Sequence, residues 1–306
     1  MSRDPIVDHC RRVIERGSRS FTRAAALLEP SVRAGAYQLY AWCRYCDDVI
    51  DQQTLGHGMG TGPAPDRATQ AAALALLRRQ TESAIAGTFD GDEPVFRGIA
   101  RIVATHGIPR HHPFELLDGM AMDVTGRRYR TLEALGEYCY HVAGVVGVMM
   151  AHIMGVRDAE TLKRAEDLGI AMQLTNIARD VMDDASVGRV YLPLDWLERA
   201  GVPPAEIAER RHRPAVAAVV AGLLDAAEER YRRADAGIGH LPFRSAWSIA
   251  AARAIYSEIG TVIRRRGAAA WDSRAYVTDG RKYLLVGRAL RQTVVGRLAT
   301  RREALA

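Results

Sequence analysis

Apolar residues recur three and four positions apart through most of the chain, and runs that alternate apolar with polar are nearly absent. At 3.6 residues per turn such spacing puts the apolar positions on one helix face. It predicts helices at about 5–16, 32–53, 67–87, 93–105, 111–123, 131–154, 160–186, 205–210, 214–236, 244–266 and 281–300. The stretch 52–66, with four glycines and two prolines, reads as a loop. No repeat of fixed period and no shift of composition marks a boundary. The expected architecture is therefore all-α, with residues 1–306 forming one domain around a common core.

The 306 residues are 48% hydrophobic and 25% charged, which excludes a disordered or collagen-like chain. No stretch reaches the roughly 18–20 uncharged apolar residues of a spanning helix. The nearest, Val142 to Val156, is shorter and carries His152. The first residues are charged and show no apolar leader, and four cysteines in this length make no disulfide framework, so a reducing cytoplasm is expected. The net charge is +6, and every basic residue except Lys163 and Lys282 is arginine. They are scattered, apart from Arg264–Arg266 and Arg297, Arg301 and Arg302, which argues against a nucleic-acid partner. An anionic small molecule or an acidic membrane surface fits the sign better.

Two acidic patches interrupt otherwise apolar helices. In YAWCRYCDDVID, Asp47 and Asp51 are four apart and so share a face, about 6 Å apart along the axis. Continuing that stripe backwards adds Arg44, Tyr40 and Tyr37, while Asp48 falls off it. In QLTNIARDVMDD, Asn176, Asp180 and Asp184 fall at i, i+4 and i+8, with Gln173 a turn earlier and Arg179 beside them. A solvated face explains either patch alone. Two patches, each with an arginine and each inside an apolar helix, point to a cation site, since enclosed like charges need compensation. Carboxylate and amide oxygens suit Mg²⁺ or Mn²⁺, and two facing rows could hold several ions around a diphosphate.

Such a site would make diphosphate a leaving group by neutralising its charge. The carbocation left behind needs a dry, aromatic-lined cavity. Phe21, Tyr37, Tyr40, Tyr138, Tyr140 and Tyr256 are candidate lining. The small residues of YCYHVAGVVG (138–147) would leave room for a hydrocarbon tail, although helix–helix packing explains Ala143 and Gly144 equally well. Cys43 and Cys46 form a CxxC without a second pair and read as packing. His141 is a candidate for the cavity side without an assigned role, and His9, His57, His106, His111, His112, His212 and His240 read as surface or loop.

Six stretches resemble the squalene/phytoene synthase family: SRSFTRAAALL (18–28), LYAWCRYCDDVID (39–51), LDGMAMDV (117–124), YCYHVAGVVGVMM (138–150), AMQLTNIARDVMDDASVGRVYLP (171–193) and LPFRSAW (241–247). The resemblance implies an isoprenoid-synthase helical bundle with a central cavity. It implies condensation of two geranylgeranyl diphosphates, through prephytoene diphosphate, to phytoene and diphosphate, at the first step of carotenoid biosynthesis. It further implies that Asp47 and Asp51, with Asn176, Asp180 and Asp184, bind Mg²⁺. Arg44, Arg179 and Arg274 then grip diphosphate with Gln173 nearby, Ser18 and Phe21 form a flap, and Tyr40, Tyr138 and Tyr256 line the cavity.

No strand–GxGxxG–helix unit is present, so NADPH is not expected. The same chemistry on farnesyl diphosphate, giving a C30 product, remains the alternative. A head-to-tail prenyltransferase or cyclase would carry DDxxD where this chain has DDVID. A non-catalytic helical scaffold is the third reading. The apolar product implies peripheral membrane contact and, as further partners, other enzymes of the carotenoid pathway.

Overall fold

A computed structural model of the protein describes residues 4–52 and 66–303, so the expected 52–66 loop lies almost wholly outside the described residues. Thirteen α-helices follow in order, and no strand occurs among the described residues. Asp4 starts α1 (Pro5–Gly17) by accepting from the N–H groups of Ile6 and Val7, with proline at the first helical position. Ser18 starts α2 (Arg19–Ala26) by accepting from the Phe21 N–H at 3.2 Å. α3 (Pro30–Asp51) and α5 (Pro94–His106) also begin with proline. Between them, α4 (Arg67–Ala86) is capped by Asp66. The chain continues through α6 (His111–Val124), α7 (Leu132–Cys139), α8 (Val145–Ile153), α9 (Ala159–Ser186), α10 (Leu194–Arg199), α11 (Arg213–Ile238), α12 (Phe243–Arg266) and α13 (Asp279–Glu303).

The long helices begin and end within a few residues of expectation. Three differences have local causes. The helix expected at 205–210 is two separate 3₁₀ turns, Pro204–Glu206, which opens on a proline, and Arg210–His212. α2 and α10 were not expected; at eight and six residues they show too little periodicity, and tertiary contacts hold them. The helix expected at 131–154 is interrupted by one π turn, Tyr140–Gly144, between α7 and α8.

Two apolar clusters form the interior. One gathers Trp42, Phe96, Leu117 and Met149 from α3, α5, α6 and α8. The other gathers Leu174, Leu223, Tyr231 and Ile259 from α9, α11 and α12. Phe21 and Ile249 touch both clusters. The seam between them is set by a close helix crossing. A Cβ on Gly147 of α8 would lie 2.4 Å from the Ala165 carbonyl oxygen, and one on Gly169 of α9 would lie 2.3 Å from that of Ala143. Only glycine allows backbones this near. The segment Leu132–Ile153 has the length and mean hydropathy (1.2) of a membrane span. Its apolarity is used inside the protein, where Leu135, Cys139, Val145 and Met149 are fully buried.

Candidate active site

α3 and α9 bring their polar rows to opposite walls of one recess of about 330 Å³. Its lining includes Arg44, Asp47 and Asp51 from α3, and Gln173, Asn176, Arg179, Asp180 and Asp184 from α9. Tyr138 lines it too. Three groups that the sequence reading left without a role complete it: Asp123, Arg189 and Tyr191.

Arg189 arrives through the end of α9. Gly188 takes a positive φ of 78°, and the Arg189 N–H returns to the Asp184 carbonyl at 2.9 Å. This glycine-dependent turn aims the arginine back at α3. Its guanidinium grips Asp51 with both nitrogens, at 2.5 and 3.3 Å. Two residues later the Tyr191 hydroxyl donates to Asp123 at 2.7 Å, and Tyr138 donates to the other oxygen of the same carboxylate at 2.9 Å. The two tyrosine rings stack with centroids 5.0 Å apart. Burial raises the Asp123 pKa despite both hydroxyls and the nearby Arg189. Burial, with Asp123 beside it, holds the Tyr138 hydroxyl far above the ordinary tyrosine value. The signal for Arg189 and Tyr191 was in the sequence, as a glycine directly after a helix carrying the acidic row. Asp123 lay within the stretch LDGMAMDV, but no acidic partner one helical turn away on its own face marked it.

The remaining carboxylates divide into paired and uncompensated ones. Asp180 is held by Arg179 at 2.8 and 2.5 Å, and Arg274 reaches it at 3.2 Å from the solvent side. Arg274 also contacts Asp183 at 3.4 Å. Asp184 has no ion pair among the described residues, and burial, then repulsion from Asp180, raises its pKa to about 7 against the pull of Arg189. Asp47 is likewise raised to about 7, with desolvation as the first cause and Arg44 opposing it. Its side chain is 47% exposed, because it faces the recess, and Arg44 stands 3.8 Å away. Water in the recess therefore tempers this shift.

These residues fit a divalent cation. Five aspartates and three arginines line the recess, so it is not neutralised from within. Asn176 donates to Gln173 at 3.2 Å, which leaves its buried Oδ1 without a hydrogen-bond partner. The buried Arg44 Nε also lacks a well-aligned one, although the Tyr40 hydroxyl stands close enough to interact with the guanidinium. An acceptor and a donor, both unsatisfied in one recess, suit a hard cation together with an anion. Two other groups with metal-ligand spacing, His111–His112–Glu115 and Glu206–Glu209–His212, lie outside this recess.

Behind the recess lies a mainly apolar cavity of about 400 Å³. Arg44, Asp47, Val142, Gln173 and Asn176 line both spaces, so the two are continuous. Phe21, Tyr40 and Tyr256 stand at the apolar side, with Phe21 6.0 Å from Tyr40 and 5.8 Å from Tyr256 between ring centroids. Five of the residues singled out from the sequence line neither the recess nor the cavity. Tyr37 is buried in the α3 cluster rather than lining the cavity. The Tyr140 hydroxyl turns to Glu115 at 3.0 Å, and His141 Nδ1 lies 2.9 Å from the Glu115 carbonyl oxygen, both drawn off by the π turn. Ser18 caps α2, and Arg274 meets Asp180 from outside; neither lines the recess or the cavity. Cys46 is fully buried, and burial raises both thiols of the CxxC, as packing requires.

A profile of squalene/phytoene synthases matches residues 14–281. The chain belongs to the squalene/phytoene synthase family. Among its relatives, a phytoene synthase of Pseudescherichia vulneris is 47% identical over 295 residues, covering 96% of this chain and 94% of that protein. A 15-cis-phytoene synthase of Pantoea ananas is 43% identical over 298 residues, covering 97% and 95%. A crystal structure of a dehydrosqualene synthase in complex with ligand superposes with a TM-score of 0.81 at 29% identity, covering 93% of this chain and 95% of that one. Membership makes the chain an enzyme of the prenyltransferase type with the all-α fold of these synthases. Within the family, the recess and cavity form the candidate site for a prenyl diphosphate.

Proposed function

We propose that this protein is a phytoene synthase, joining two geranylgeranyl diphosphates to phytoene in carotenoid biosynthesis. The observation that carries the reading is the continuity of a charged recess with an apolar cavity through Arg44, Asp47, Gln173 and Asn176. A prenyl diphosphate has the same two halves. The joint lining of the seam by helices of both clusters supports treating residues 1–306 as one working domain.

Asp47, Asp51, Asn176, Asp180 and Asp184 are the proposed ligands of Mg²⁺, for which Mn²⁺ is a chemical substitute. When bound there, the cation supplies positive charge that neutralises a departing diphosphate. Arg44, Arg179 and Arg189 grip the diphosphate oxygens, and Arg274 guards the outer side. Gln173 holds the Asn176 amide so that its free oxygen faces the recess. Ser18 sets the start of α2, which carries Phe21 to the junction. Phe21, Tyr40 and Tyr256 present ring faces to developing positive charge and exclude water. Asp123 fixes the Tyr138 and Tyr191 hydroxyls beside the leaving group. Peripheral contact with membrane lipid follows from the product, a hydrocarbon with no stable place in water, and puts it within reach of later carotenoid-pathway enzymes.

The test is incubation of purified protein with geranylgeranyl or farnesyl diphosphate and Mg²⁺, without NADPH, followed by hydrocarbon extraction. The expected outcome is a C40 hydrocarbon from the C20 substrate. A preference for the C15 substrate, or release of prenyl alcohol alone, overturns the proposal.

A further inference from the structure

Among the described residues, seven large apolar side chains are exposed, and five of them fall between positions 276 and 295: Tyr276, Tyr283, Leu284, Val294 and Val295. The last four are on α13. Its inner face is conventional, with Leu285 and Ala289 buried and the Trp247 indole of α12 donating to the Val286 carbonyl at 3.0 Å. Its outer face places Leu284, Arg288, Arg291 and Val295 along one stripe, at i, i+4, i+7 and i+11. Tyr283 and Val294 flank it. Arg281 is engaged by Glu258, and Lys282 by Asp279, but neither Arg288 nor Arg291 forms an ion pair among the described residues.

We infer that the outer face of α13, with Tyr276 beside it, docks on the surface of a bilayer containing anionic lipid. Tyrosines amid aliphatic and arginine side chains suit the interface, where rings sit at headgroup depth and guanidinium groups meet phosphates. A second copy of the chain is a poorer occupant. Two-fold pairing through this stripe would set its central arginines, which have no close ion-pair partner among the described residues, against those of the copy.

The position of α13 relative to the cavity gives the docking a purpose. α12 presents Ile249, Ala252 and Tyr256 to the cavity, and Ala250 and Ala251 to α13. α2 lines the same cavity with Phe21, Ala24 and Ala25. Arg23 of α2 grips Asp279 at the start of α13 at 2.7 and 3.2 Å, and lies over the Tyr283 ring at 5.6 Å. Docking by α13 would therefore place the α2–α12 wall of the cavity directly behind the lipid-facing helix. This purpose rests on the proposed hydrocarbon product, while the docking face itself does not.

Vesicle co-sedimentation tests the proposal, using phosphatidylcholine alone and with phosphatidylglycerol, at low and high salt. The full chain is expected to bind anionic vesicles and to be released by salt. Arg288→Ser with Arg291→Ser should lower partitioning by roughly 30-fold, from two lost basic contacts. Leu284→Ser with Val295→Ser should weaken binding to anionic vesicles at low salt, through lost apolar burial, whereas the distant exposed Leu76→Ser should not. Binding equal in all variants, no binding by the parent chain, or a dimer dispersed by the α13 changes would each overturn the proposal. Each variant is also assayed in detergent micelles, where turnover should persist. Loss of vesicle binding by α13 variants of a parent that makes no phytoene would support the docking face while sinking only the proposed reaction.

Discussion

The Arg189 guanidinium holds Asp51 at 2.5 Å, tying the turn after α9 to the last turn of α3. The pair spans the mouth of the recess and takes one proposed metal ligand out of an otherwise repulsive row. Under the proposed function, cation and diphosphate would compete for Asp51 and Arg189, so the pair would brace the recess and then part to hold them.

Arg189→Met should therefore cost both stability and turnover. Both side chains are about a quarter to a third exposed, at 30% and 24%, so the destabilisation should be about 1–2 kcal/mol, below that of a fully buried pair. Urea unfolding of Arg189→Met, Asp51→Asn and the double variant isolates the coupling. Additive effects would show that the pair is not coupled.

Asp184 ties stability to pH. Its folded pKa, about 7, lies above the ordinary carboxylate value, so the folded protein binds its proton more tightly than the unfolded chain does. Without metal, stability should fall as pH rises from about 4 through 7 and then level off. Asp184→Asn removes the buried charge and should raise the melting temperature in EDTA at pH 8, with little change at pH 5. Cation binding needs the ionised form, so Mg²⁺ affinity of the parent should climb between pH 6 and 8. Calorimetry showing flat affinity over that interval would contradict the assignment.

Asp180→Ala should lower turnover at least about 10²-fold, because the charge stabilising the leaving group loses a ligand. Helical circular dichroism should stay unchanged, since Asp180 faces the recess rather than the core. Full product yield from this variant would move the reaction elsewhere.

Gly169→Ala should destabilise by about 1–3 kcal/mol through overpacking. The new methyl would meet the Ala143 carbonyl oxygen at 2.3 Å and force α9 away from the π turn. Since Val142 and Ala143 line the cavity, product yield should fall with stability. A urea midpoint equal to that of the parent would show that the crossing has slack.

Both acidic rows were legible because helical geometry alone places Asp47 with Asp51, and Asn176 with Asp180 and Asp184, on single faces. Their confrontation across a recess was not, since no local rule says which helices face each other. Tyr140 shows the limit within one helix. A regular 131–154 helix would leave it among the cavity candidates, but the π turn swings it to Glu115. Arg189 and Tyr191 lie beyond the helix end, where periodicity stops carrying information and the φ of Gly188 decides direction.

Periodicity, caps and charge spacing, all local properties, determined from the sequence by itself that the chain is helical and carries two oxygen-rich faces. Tertiary structure alone decided that these faces share one recess, that Asp123 and Arg189 join it, that an apolar cavity opens behind it, and that α13 leaves Tyr283 and two arginines facing outward. Those outcomes depend on contacts between residues tens to hundreds of positions apart. They are settled by packing of whole helices, with glycine at the α8–α9 crossing setting how near the backbones come.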